Sequence, residues 1–281
     1  MNKRIITKDM LEKFALNLRE NERSEITITK YCHDLQSLMD YAGGLPIDKC
    51  LAIAYKAELG KKYALSSANS MIAAANSFFK FIGWNECCIH QFKIQKKVFC
   101  SEEKEMTKAD YIRLVQVARK KGNKRLCLLL QTICGTGIRV SELQFITAEA
   151  VRRGEAIVSS KNKTRTVFLV RELQKKLLHY IREQKISAGP VFVTKTGRPM
   201  NRCNIWKEMK ALCEEAEVSP NKVFPHNLRH LFARTFYGIK KDIAKLADVL
   251  GHSNIDTTRI YTISTGYEHR QQLESMRLVG W

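Results

Sequence analysis

The sequence predicts a mainly α protein with a small β-hairpin, arranged as an α-helical N-terminal domain followed by a larger α+β domain. Three observations predict it. Apolar residues recur at three- and four-residue spacing through residues 11–82, the signature of helices with one buried face. Two short β-like runs, 156–159 and 166–170, flank a polar turn. Between these regions, residues 93–105 lose all periodicity and alternate basic and acidic clusters. The expected domains are therefore 1–92 and 106–281, joined by a linker at 93–105.

The elements follow in order. Leu11, Phe14, Ala15 and Leu18 share one face of a first helix. A second begins near Thr27, carries Ile28, Tyr31, Leu35 and Leu38, and stops at Gly43-Gly44. A third spans roughly 47–59 and a fourth 65–82, with Met71, Ile72, Ala75, Phe78 and Phe79. Their spacing makes the aromatic cluster from Phe78 to Trp84 core material rather than a platform for stacked bases. Lys93, Lys96 and Lys97 in the linker suit a phosphate backbone. Thr107-Lys108-Ala109-Asp110 opens the second domain with residues able to cap a helix. A hairpin with a basic tip follows, Ser160-Lys161-Asn162-Lys163-Thr164-Arg165, and Val191-Phe192-Val193 suggests another short strand. The rest of the chain reads as helical.

Composition narrows the partner. The formal net charge is +20, and the excess is concentrated in the second part. Residues 1–100 hold 15 Lys/Arg against 10 Asp/Glu; the remainder holds 33 against 18. Such a chain favours a polyanion, with nucleic acid first. A membrane surface would call for a basic amphipathic helix or a lipid anchor, and the sequence suggests neither. Nine cysteines without a C-x-x-C pair, no leader-like start and no long apolar run predict free thiols in a reducing cytoplasm.

Four segments of the second domain carry the chemistry. In Gly135-Thr136-Gly137-Ile138-Arg139-Val140-Ser141-Glu142, a carboxylate three residues from Arg139 orients a guanidinium fork for a phosphate. The hairpin lysine can enter a DNA groove and donate a proton. In Pro225-His226-Asn227-Leu228-Arg229-His230, proline starts a helix that puts His226 and Arg229 on one face. Gly251 ends another helix, His252 follows it, and Tyr261 lies nine residues on.

In this order, the four segments resemble the tyrosine recombinase or phage integrase family. The resemblance rests on Gly137-Ile138-Arg139-Val140-Ser141-Glu142-Leu143, His226-Asn227-Leu228-Arg229-His230, Leu250-Gly251-His252 and Tyr261, and covers about residues 107–265. The N-terminal helices are similar to the family's core-binding domain, with a weaker match at Thr29-Lys30-Tyr31 and Asp34-Leu35.

The resemblance implies a catalytic set of Arg139, Lys161, His226, Arg229, His252 and Tyr261. Tyr261 would attack a backbone phosphate, leaving a 3′-phosphotyrosyl bond. Arg139, Arg229 and His252 would stabilise the growing charge. Lys161 would protonate the departing 5′ oxygen. His226 would accept the tyrosine proton or touch the phosphate, and Glu142 would support Arg139. In the family the lysine often sits in a Gly-Lys-Gly-type turn, and this hairpin lacks the glycines. Strand register favours Lys161, with Lys163 the alternative. Lys163 and Arg165 join the linker lysines as expected DNA contacts.

The resemblance also implies a metal-free and ATP-free reaction on double-stranded DNA with short core sites, by a tetramer synapsing two duplexes. The tail from Tyr267 to Trp281, with Leu273, Met276 and Leu278, would be a helix docking on a neighbouring subunit. The first bundle helix starts almost at once, which implies no arm-binding domain. Two other readings keep the same fold: a type IB-like topoisomerase, and a noncatalytic DNA-binding protein in which Tyr261→Phe changes nothing. A metal-dependent nuclease would need clustered carboxylates that the sequence does not offer.

Overall fold

The computed structural model describes residues 4–94, 104–160, 163–252, 254–261 and 274–276. The chain divides into two compact units, Met1–Lys96 and Lys97–Trp281. No helix of the described residues is long and apolar enough to cross a membrane.

The first unit holds four helices: α1 (Lys8–Glu20), α2 (Glu25–Ala42), α3 (Lys49–Lys62) and α4 (Leu65–Phe81). Local chemistry sets their ends. Thr7, Ser24 and Asp48 accept backbone N–H bonds as N-caps of the first three. Gly43, at φ +56°, closes α2 in the left-handed region. Leu35, Leu38, Ile72, Phe78 and Phe79 fill the core, with Phe14 edge-on to Phe78 at 5.5 Å. The aromatic cluster is thus largely internal, although Phe81 stays exposed.

The second unit begins with α5 (Lys108–Lys120), where Thr107 and Asp110 form a reciprocal capping box. Next comes α6 (Lys124–Thr136), apolar on nearly every side and packed against α5, α8 (Arg171–Glu183) and α10 (Pro225–Lys240). Between α6 and α8 lie a 3₁₀ turn (Val140–Phe145), α7 (Ala148–Arg153) and an antiparallel pair, β1 (Glu155–Ser160) with β2 (Lys163–Phe168). After α8 come α9 (Arg202–Lys210), α10, α11 (Ile243–Leu250) and the short α12 (Asp256–Arg259). Asn227 of α10 donates to the carbonyls of Lys104 and Lys222, both at 2.8 Å, and so pins the start of this unit to its centre.

Three expectations about β structure need correction. The hairpin turn is shorter than the polar run suggested, because β2 starts at Lys163 and pairs it with Ser160. The strand also ends at Phe168, and Val170 serves as N-cap of α8. Val191-Phe192-Val193 is not a strand. Val193 makes a single bridge to Pro199 around a turn closed by Thr194 and Arg198, while Val191 donates to the Ile146 carbonyl.

Candidate active site

The first arginine motif sits where α6 ends. Gly137 has φ +64°, and an added Cβ would lie 2.4 Å from the Phe232 ring, so both backbone and packing require glycine there. The chain then turns so that Arg139 caps the 3₁₀ turn. Its backbone N–H donates to Glu142 Oε2 at 2.9 Å, and its Nη1 donates to Oε1 at 2.8 Å. Burial alone would raise the pKa of Glu142. Hydrogen bonds from Arg139 and the charges of Arg165 and Arg139 outweigh it and hold the carboxyl below its usual range. The Arg139 side chain keeps 38% of its surface exposed, so part of the fork faces outward.

Arg165 lies elsewhere than at a basic tip. In β2 it pairs with Val158 and points inward, donating from Nη2 to Glu142 Oε2 (2.6 Å) and from Nη1 to the Val249 carbonyl (2.8 Å). Only 13% of its side chain is exposed. Its stem crosses Gly251, where a Cβ would meet Arg165 Cδ at 2.4 Å. The hairpin, Glu142 and the end of α11 are thereby locked together. The expectation of an outward cation here fails because Glu142 and a helix-terminal carbonyl satisfy the charge inside.

Arg229 is 2% exposed on α10. Its Nη1 donates to the Gly137 carbonyl; its Nη2 donates to the Leu250 carbonyl at 2.8 Å and lies 3.0 Å from His252 Nε2. One guanidinium thus ties the ends of α6 and α11 to α10. Burial, followed by the charge of Arg139, lowers its pKa to about 10.

Two histidines pack against Tyr261, which is 3% exposed, and a third stands behind one of them. The His230 ring stands edge-on to it at 4.6 Å, and the His252 ring stacks on it at 5.9 Å. His226 stands edge-on to His230, again at 4.6 Å. Desolvation, then the charges of Arg229, Arg202 and Arg139, lowers the pKa of His226. Burial, then the neighbouring positive groups, brings His230 and His252 down to about 4. His252 Nδ1 is 2.9 Å from Thr258 Oγ1, on α12. Each of these shifts favours the neutral form of its ring.

The structure brings together Arg139, Glu142, His226, Arg229, His252 and Tyr261, adds Arg165, expected only as a DNA contact, and adds His230 and Thr258, which sequence reasoning left without a role. His230 was visible inside its motif and Arg165 inside the basic hairpin run; Thr258 carried no local signal. Lys93 is exposed in the first unit. Lys96, Lys97, Lys161 and Tyr267 lie outside the described residues, as does most of the expected tail helix. Lys163 is fixed only in its backbone pairing to Ser160. All eight described cysteines are free thiols; of these Cys87, Cys127 and Cys213 are buried, while Cys50 and Cys203 are exposed.

Comparison with known proteins gives a consistent result. Residues 104–267 match the phage integrase family, and residues 11–86 match the phage integrase N-terminal SAM-like domain. The tyrosine recombinase XerA of Pyrococcus furiosus is 29% identical over 290 residues, covering 99% of this chain and 98% of XerA. The tyrosine recombinase XerD of Xanthomonas axonopodis pv. citri is 33% identical over 162 residues, 52% of this chain and 53% of XerD. The Tn1549 transposon integrase, solved in complex with circular intermediate DNA, shares the fold at a TM-score of 0.73 and 17% identity, covering 95% of this chain and 99% of that one.

Proposed function

Because this chain belongs to the phage integrase family, we propose that it cuts and rejoins DNA at specific sites through a covalent 3′-phosphotyrosyl bond to Tyr261. The observation that supports this most is the meeting of Arg139, Arg229, His226, His252 and Tyr261, drawn from separate segments, around one buried tyrosine.

In the proposed reaction Tyr261 Oη forms a bond to phosphorus and the bond from phosphorus to the 5′ oxygen breaks. The tyrosine proton passes to a neutral histidine of the cluster, with His226 the expected acceptor. Arg139 and Arg229 face the nonbridging oxygens, where negative charge grows, and His252 adds a third donor. Their positive charge fills the place that a metal ion takes in many nucleases. Lys161 supplies the proton for the leaving 5′ oxygen, with Lys163 as the alternative. Attack by a 5′-hydroxyl from the partner duplex then reverses the step, so the bond energy is kept and no ATP is consumed. Glu142 and Arg165 hold the first arginine and the hairpin in place. We place this chemistry on paired short core sites in a tetramer, in the cytoplasm. The domain limits proposed are a DNA-binding bundle at 1–92, a linker at 93–105 and a catalytic domain at 106–281, ending in a tail helix docked on a neighbour.

The test is a nicked suicide duplex carrying the native sequence that flanks the gene, incubated with protein and EDTA. A covalent protein–DNA adduct on a denaturing gel is expected for wild type and not for Tyr261→Phe. An adduct with Tyr261→Phe would overturn the nucleophile; loss of the wild-type adduct on adding EDTA would overturn the metal-free mechanism.

A further inference from the structure

Resting on the recombinase reading above, we infer that Thr258 is a positioning residue. With Arg229, it locks His252 in the Nδ1–H form, so that engaging a DNA phosphate requires His252 to take up a proton.

A guanidinium has donors only, so the 3.0 Å contact between Arg229 Nη2 and His252 Nε2 makes Nε2 the acceptor. The ring proton then sits on Nδ1, and Thr258 Oγ1, at 2.9 Å, accepts it. Thr258 is fully buried, so water does not take that place. Every arginine near the ring favours this neutral form, Arg229 on α10 first, then Arg139 after α6 and Arg165 on β2, and a proton on His226 would act in the same direction. Tyr261 stacks on the ring and adds no charge while protonated.

In the DNA-free protein, two groups expected to donate to the phosphate are thus paired with each other. Arg229 also donates to the carbonyls of Gly137 and Leu250. A phosphate offers Arg229 a stronger acceptor and offsets the positive field around His252. Nε2 then binds a proton from solvent and becomes a donor to the phosphate. Thr258 holds Nδ1–H in both states, so the ring keeps its orientation while its charge changes. The contact depends on the hydroxyl, which distinguishes positioning from packing.

The test uses the full chain. Nitrogen-15 NMR of the DNA-free protein at pH 7, with His252 assigned by loss of its signals in His252→Asn, should show protonated Nδ1 and unprotonated Nε2. Thr258→Ser should keep that pattern and adduct formation within about twofold, while Thr258→Val should mix the two forms and slow adduct formation about tenfold. Tyr261→Phe protein, which binds without cutting, is titrated calorimetrically with the native flanking duplex in two buffers of different ionisation heat. It should take up about one proton per subunit more than the Tyr261→Phe/His252→Asn protein. An Nε2–H form in free protein, Thr258→Val matching wild type, or no proton uptake traceable to His252 would overturn the inference. A wild-type adduct alongside any of these would leave the recombinase reading standing; no adduct at all would sink that reading instead.

Discussion

The core of the N-terminal unit and the centre of the C-terminal unit are both buried, but they are made of different chemistry. The first is filled by Phe14, Leu35, Leu38, Ile72, Phe78 and Phe79, with Asp34 its one buried charged side chain among the described residues. The second buries Glu142, Arg229 and Thr258 beside a small apolar cluster of Ala233, Leu246, Leu250 and Tyr261. Apolar burial is additive and non-directional, so the bundle is stabilised by area. A buried guanidinium is tolerated only where each donor finds a partner, so the centre is stabilised by geometry. The comparison teaches where each unit is vulnerable: the bundle to lost volume, the centre to one misplaced polar atom.

The sharpest test of that contrast is Phe78→Ala. It should cost about 3–5 kcal/mol through lost transfer energy and the cavity left behind, read as an earlier transition in calorimetry. The hydrogen-bonded centre should remain intact in the protein that stays folded. Next in size, Arg229→Met should cost about 1–3 kcal/mol for each carbonyl left bare, at Gly137 and Leu250. It should also abolish adduct formation while the mutant still binds DNA in a gel-shift assay. Equal stability in wild type and Arg229→Met would break the contrast.

Gly251→Ala comes third, at about 1–3 kcal/mol. The residue sits at φ +65°, and its Cβ would collide with Arg165, which must then leave Glu142. Thr258→Ser should not rescue it. Fourth is acid. His230 and His252 are depressed from 6.5 to about 4 by burial, so the unfolded chain binds their protons first as pH falls. Their contribution to stability is complete above about pH 6.5 and declines toward pH 4, by at most about 1.4 kcal/mol per pH unit for each ring. Thermal melts of wild type and His230→Phe between pH 7 and pH 4.5 check the sign: the mutant should lose less. The smallest effect is expected at exposed Lys93. Its replacement by Ala should lower the slope of log affinity against log salt by about 1, without changing adduct chemistry.

Much of this was legible in the sequence, because the signals are local. Apolar spacing marked the bundle helices. Gly43 and Gly251 stopped theirs, and Thr107 with Asp110 marked the opening of α5. The order of motifs singled out Arg139, Glu142, His226, Arg229, His252 and Tyr261, since their residue types announce phosphate chemistry wherever they meet.

What only the tertiary structure decided is which atoms they meet. Arg165 looked like a hairpin-tip cation, yet strand parity turns it inward onto Glu142 and a carbonyl 84 residues away. Arg229 reaches back 92 residues to the Gly137 carbonyl. Thr258, one of two adjacent threonines in a short helix, is the one that meets His252. Sequence determines which groups can donate, accept or carry charge, because that is covalent chemistry. Which donor is left for a phosphate depends on distances across the folded chain, and those are set by how α6, α10, α11 and the hairpin pack around one another.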